Sequence, residues 1–85
     1  MKLEKAMLNA VFSVMCDGRW RALFEIHALL DGHYSESGIG SRLRDLRLNP
    51  YAAQFGVERV ERRIRTGRLH EYRIVLREKQ MRLIA

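Results

Sequence analysis

The chain has 85 residues, 47% of them hydrophobic and 31% charged, with a formal net charge of +6 and a pI near 10.2. That size predicts one domain without room for a separate sensing or catalytic unit, and that balance excludes the profile of a disordered tail. No stretch approaches the roughly 20 apolar residues of a membrane span, and the first residues lack the apolar run and small-residue cleavage site of a secretory signal.

The distribution of charge is more informative than its sum. Eleven of the thirteen arginines lie from Arg42 to Arg82, against five acids there, whereas the first 41 residues are nearly balanced. A basic surface on half of a small domain is the footprint of a phosphate-bearing partner, with a solubilising bias as the plain alternative. The single cysteine, Cys16, can form no internal disulfide and is expected as a buried thiol in a reducing compartment, hence a cytoplasmic, nucleoid-associated location.

Leu3, Met7, Ala10, Val11, Val14 and Met15 recur at three- and four-residue spacing and predict an amphipathic helix over 2–15, stopped by Asp17-Gly18. Arg19-Trp20-Arg21 fits a brief strand or extended link. Leu23, Ile26, His27 and Leu30 share one face of a second helix at about 22–31, ended by Asp31-Gly32; Arg21-Ala22 before it offers no side-chain cap. His27 is expected as a hydrogen-bonded inner residue, because its spacing to His33, His70 and Cys16 matches no metal site.

The third helix, 36–48, is the best signalled. Ser35 can cap its first amides, Glu36 suits the positive end of its dipole, and Tyr34 and Ile39 occupy hydrophobic-staple positions. Ile39, Leu43 and Leu46 form its buried edge, and Asn49-Pro50 ends it. Gly38 and Gly40 each cost about 1 kcal/mol in a helix relative to alanine, which implies close approach to a neighbour, either helix 2 or a nucleic-acid strand.

Residues 50–56 read as a loop or an irregular turn, after which 57–76 switches to period two. Val60, Arg62 and Ile64 share one face, and His70, Tyr72 and Ile74 share one on the partner strand. Those faces coincide if Arg65-Thr66-Gly67 forms a three-residue loop with Gly67 left-handed. The tail, 77–85, carries Met81, Leu83 and Ile84, which either pack back on helix 1, pair with a second copy or fray.

The segments Asp17-Gly-Arg-Trp, Leu23-Phe-Glu-Ile, Ser41-Arg-Leu-Arg-Asp-Leu-Arg and Glu71-Tyr-Arg-Ile resemble small winged helix-turn-helix proteins of bacteria and their viruses, over roughly residues 3–76. The resemblance implies an α+β, mainly α fold: three helices and a C-terminal two-stranded hairpin, the wing, in one domain over 1–76. It also implies double-stranded DNA binding through helix 3 and the wing, as in a small transcriptional regulator or accessory factor. The helix 2 entry departs from the family pattern in lacking a serine or threonine cap, and the 49–56 connection is long.

The helix 3 wheel leads to the same face independently. With Ile39, Leu43 and Leu46 inward, Ser37, Ser41, Arg44 and Leu48 face outward, flanked by Arg42 and Arg47. Small residues allow close approach to groove walls, and Arg44 can give two hydrogen bonds to a guanine edge. Arg42 and Asp45 are spaced to pair. In the hairpin, Arg63, Arg65 and Arg68 crowd Thr66-Gly67, an arrangement a polyanion would relieve; Arg62, of inward parity, could instead pair with Glu58 or Glu61. The expected DNA-binding set is therefore Ser37, Ser41, Arg42, Arg44, Arg47, Arg63, Arg65, Thr66 and Arg68. A solvated basic surface without ligand is the alternative for both groups.

Catalysis is not expected. Ser35, Ser37 and Ser41 lack a base, no phosphate-cradling glycine loop exists, and no metal, cofactor, membrane or small-molecule effector is implied. The competing class is a protein-interaction adaptor on the same scaffold, and a second copy of the chain is a candidate partner.

Overall fold

A computed structural model describes residues 2–78; the tail residues Met81, Leu83 and Ile84, and the side chain of Leu3, lie outside the described residues. Helix α1 (Lys2–Met15) follows the apolar spacing, burying Leu8, Val11 and Met15 with Met7 and Val14 packed beside them. Cys16 is half-buried rather than buried. Arg21 then ties the end of α1 to the next element, donating to the Val14 carbonyl at 2.9 Å and to both carboxylate oxygens of Asp17 at 2.8 Å.

Strand β1 (Arg21–Ala22) leads directly into α2 (Leu23–Leu29), which is shorter at both ends than the expected 22–31. The missing cap is replaced from inside the helix: the Glu25 carboxylate accepts the Ala22 N–H at 2.8 Å. Asp31 and Gly32, both left-handed at φ 55° and 71°, turn the chain. The His27 ring closes that turn, its Nδ1–H donating to the Tyr34 carbonyl at 2.6 Å, so the hydrogen-bonding role expected for His27 is present at a half-buried site.

Helix α3 (Glu36–Leu46) starts as expected, with Ser35 Oγ accepting the Gly38 N–H at 3.0 Å, and buries Ile39, Leu43 and Leu46. It stops two residues before Leu48, because the chain turns there into a further helix, α4 (Tyr51–Phe55), where a loop was expected. Five residues are too few to hold a helix alone or to show a period; packing makes this one, through buried Ala52 and through Phe55, whose ring lies 4.9 Å from that of Phe12. Gly38 is explained by helix packing, although against α1 rather than α2: a Cβ there would lie 3.2 Å from Met7 Sδ.

Strands β2 (Val57–Thr66) and β3 (Leu69–Leu76) form the hairpin, and β1 pairs with β3, giving a three-stranded antiparallel sheet in the order β1-β3-β2. The expected faces do coincide, with Val60 opposite Ile74, Arg62 opposite Tyr72 and Ile64 opposite His70. The register nevertheless lies two residues from that of a three-residue loop. An irregularity between Ile64 and Thr66 sets Arg65 outside the ladder, and Thr66 pairs with Leu69 around Gly67 and Arg68, Gly67 being left-handed at φ 54°.

The fold is thus α+β with four helices and a three-stranded antiparallel sheet, where three helices and two strands were expected. The core lies between α1, α2, α3 and the inner sheet face, with Ile26, Ile39, Leu46 and Ile74 all but inaccessible. Among the described residues, no helix is long and apolar enough to cross a membrane.

Candidate nucleic-acid interface

Because α3 spends one edge on the core, its opposite edge is fixed. Ser37 and Arg44 are exposed there, Ser41 is half-buried, and Leu48 lies just past the helix end, 59% exposed. Arg44 is steadied on this edge, donating from Nη2 to Ser41 Oγ at 3.1 Å. Beside it, Gly40, Leu43, Arg44 and Arg47 form one wall of a cleft of about 250 Å³, and Val60 and Arg62 of β2 with Tyr72 of β3 form the other. No carboxylate lines this cleft.

The hairpin tip returns to the start of α3. Arg68, Leu69 and His70 share a smaller cleft, about 170 Å³, with Glu36 of α3 and Leu23 and Phe24 of α2. Thr66 and Gly67 are exposed, and nothing lies within 4 Å of where a Gly67 Cβ would be.

The other face of the hairpin is electrically different. Arg63 and Arg65 donate to the two oxygens of Glu71 at 2.6 and 2.9 Å, and Arg65 also reaches Glu25 of α2. Arg59 and Arg73 both donate to Glu61, at 2.7 and 2.6 Å. The guanidiniums of Arg63 and Arg73 lie over the Trp20 ring, 4.0 and 4.8 Å from its centre. Glu71 is buried, and the Arg63 hydrogen bond, then that of Arg65, holds its carboxyl below the ordinary carboxylate range. Arg59 and Arg73 lower that of Glu61 in the same way.

Arginines therefore separate by face. Among the described residues, Arg44, Arg47, Arg62 and Arg68 make no ion pair, and all four line the clefts between the hairpin and the helices; Arg77, at the far end of β3, is the other unpaired one. Of the expected set, Ser41, Arg44, Arg47 and Arg68 gather here with exposed Ser37, and Thr66 sits at the tip. Three expected residues are otherwise engaged. Arg42 is paired with Asp45 at 2.9 Å and largely covered, and Arg63 and Arg65 belong to the carboxylate-bearing face. Repulsion between Arg63 and Arg65 is thus already relieved within the protein, by Glu71.

Arg62 and Tyr72 were missed. Their inward parity was visible, but Glu58 or Glu61 stood as an optional partner for Arg62, and Glu61 is taken by Arg59 and Arg73 from the other face. Among the described residues, no three His, Cys, Asp or Glu side chains gather where a metal ion could sit. Comparison with protein-family models, curated proteins and solved structures finds no match to this chain.

Proposed function

We propose that this protein binds double-stranded DNA as a winged helix-turn-helix domain, with α3 in the major groove and the β2–β3 hairpin along the adjoining backbone or minor groove. The observation that carries this reading is the sorting of arginines: Arg44, Arg47, Arg62 and Arg68, which line the clefts, have no carboxylate partner among the described residues, whereas Arg59, Arg63, Arg65 and Arg73 on the far side of the hairpin are paired. The connectivity supports it as well. Three helices, the second and third joined by a tight turn, and then a hairpin is the order of that fold; here a short strand, β1, also precedes α2 and a short helix, α4, lies between α3 and the hairpin.

An α-helix about 10–12 Å across fits a major groove about 12 Å wide. The serine edge of α3 lets the backbone come close, and Arg44, held by Ser41, is placed to read a guanine edge. Arg47 and Arg68 serve phosphates, which position the protein without reading sequence. A role in transcription, as regulator or accessory factor, extends the same proposal.

Fluorescence anisotropy with labelled random duplex over a salt series tests it. Several phosphate contacts give a steep fall of affinity with salt, each contributing about −0.9 to the slope of log affinity against log salt. Absence of duplex binding at low salt, or binding indifferent to salt, overturns the reading.

One observation favours a second reading. Phe24 and Leu29 of α2 are 48% and 52% exposed beside Trp20 and Arg19, a patch suited to a protein partner. A stoichiometric protein complex that competitor DNA does not disturb, from a chain that binds no duplex, would install the adaptor reading in place of the first.

A further inference from the structure

The cleft between α3 and β2 has a chemistry narrower than that of a generic basic surface. Its polar lining is Arg44, Arg47, Arg62 and the Tyr72 phenol, so it offers hydrogen-bond donors almost alone. Adenine and cytosine edges carry a donor that would go unmatched here, and only guanine and thymine present acceptors alone, without a charge to match three guanidiniums. A phosphate presents acceptors only. Arg44 is partly committed to Ser41 on the outward edge of α3, which leaves Arg47 from one wall and Arg62 from the other without any side-chain partner among the described residues. Leu43 and Val60 supply apolar lining, so charge-assisted hydrogen bonds made there are screened less than at an open surface. Gly40 keeps the helix wall low: even a Cβ at that position would find only Leu23 Cδ1, 3.7 Å away.

We propose that this cleft is a seat for a single backbone phosphate of the duplex, gripped by Arg47 of the α3 end and Arg62 of β2, with Tyr72 as a further donor. The inference rests on the DNA-binding reading and adds to it a defined subsite and a residue, Arg62, that clamps helix and hairpin to the same strand. It also divides labour between neighbours: Arg44 reads bases, while Arg47 and Arg62 hold the backbone that borders the groove. The same phosphate chemistry could be met by a free phosphate, so the test separates the two sources.

The full chain, labelled with nitrogen-15, is titrated with inorganic pyrophosphate while the arginine Nε–Hε signals are followed, and duplex binding is measured over a salt series. Both are done for the wild type, Arg47→Gln, Arg62→Gln and a control, Arg59→Gln, on the opposite face; thermal melts confirm that each variant is folded. The expected result is saturable pyrophosphate shifts at Arg47 and Arg62, weakened roughly tenfold by either cleft substitution, as befits one lost charge-assisted hydrogen bond. The duplex salt slope falls by about 0.9 in each cleft variant, with the ranking of duplex sequences unchanged, and stays at the wild-type value in Arg59→Gln. Wild-type slopes in both cleft variants overturn the seat while leaving DNA binding in place. Pyrophosphate binding by a chain that binds no duplex at any salt overturns both the DNA reading and the backbone source, making the cleft a free-phosphate site.

Discussion

Glu25, in the first turn of α2, and Arg65, beside the hairpin irregularity, are joined by a 2.5 Å ion pair across forty positions of sequence. Glu25 thereby does two things at once, capping α2 through the Ala22 N–H and tethering the hairpin to that same helix end. Since Arg65 also holds Glu71, the hairpin is braced near its tip on α2 and not only through its own ladder.

Replacing Glu25 by Gln should loosen that brace. Amide hydrogen exchange at 62–72 is expected to accelerate several-fold while exchange in α1 is unchanged. Equal acceleration everywhere would mean that the pair supports global stability instead.

Under the proposed reading, in which Arg44 donates to bases, Arg44→Gln should relax sequence preference without greatly changing the salt slope; a discrimination loss of about 1–3 kcal/mol at one base pair is expected from competitive selection on duplex variants. A uniform loss on all duplexes would assign Arg44 to the backbone.

Gly40→Ala separates stability from binding. Alanine recovers up to about 1 kcal/mol of helix propensity, and the new Cβ meets only an ordinary contact with Leu23. Urea denaturation should show a gain, and duplex anisotropy a loss, because the methyl raises one wall of the α3–hairpin cleft.

Ile39→Ala removes a fully buried side chain from the edge that orients α3, and should cost about 2–5 kcal/mol in chemical denaturation. A domain of this size has little stability beyond that, so a molten or unfolded variant is the expected extreme.

Acid should weaken the fold through its paired carboxylates. Asp17 is lowered to about 2, first by its hydrogen bonds from Arg21, and Glu25 is lowered by the Ala22 N–H and then by Arg65. A depressed folded pKa gives stability that is present above the unfolded value and lost as pH falls through the folded one. For Asp17 that loss runs from about pH 4 to pH 2, and Asp17→Asn should remove it. Its size is about 1 kcal/mol at most, since solvent screening at an exposed pair cancels much of what the shift alone implies. Denaturation midpoints of wild type and variant that stay parallel down to pH 2 would contradict this.

The parts of the fold legible in the sequence were those governed by period and by local chemistry. Spacings of three and four fixed the inner edge of α3, Ser35 marked its start, period two fixed which hairpin residues share a face, and Gly67 marked the left-handed turn. Helix α4 was hidden because five residues show no period and owe their conformation to Phe12 and the core. The third strand was legible only as one of two options, a brief strand or an extended link at 19–21, because Arg21 and Ala22 become a strand only by pairing with β3. The largest loss came from one irregularity. A three-residue loop places Arg63 opposite Leu69, whereas the actual register places it opposite Glu71, and that carboxylate is what removes Arg63 from the candidate interface. Arg65 was beyond reach for a different reason, since its second partner, Glu25, lies in another element. Local charge counting could find the basic half of the chain but not which arginines were already spoken for.

The two-sided hairpin also bears on how the molecule arrives at a partner. Glu25, Glu61 and Glu71 offset most of the charge of four guanidiniums behind it, whereas Arg44, Arg47 and Arg62 in front have no carboxylate partner among the described residues, so the unpaired positive charge that would attract a polyanion is concentrated on the α3 side. Under the proposed DNA-binding reading, orientation would in this way be biased during approach, by glutamates on the side of the hairpin away from the duplex.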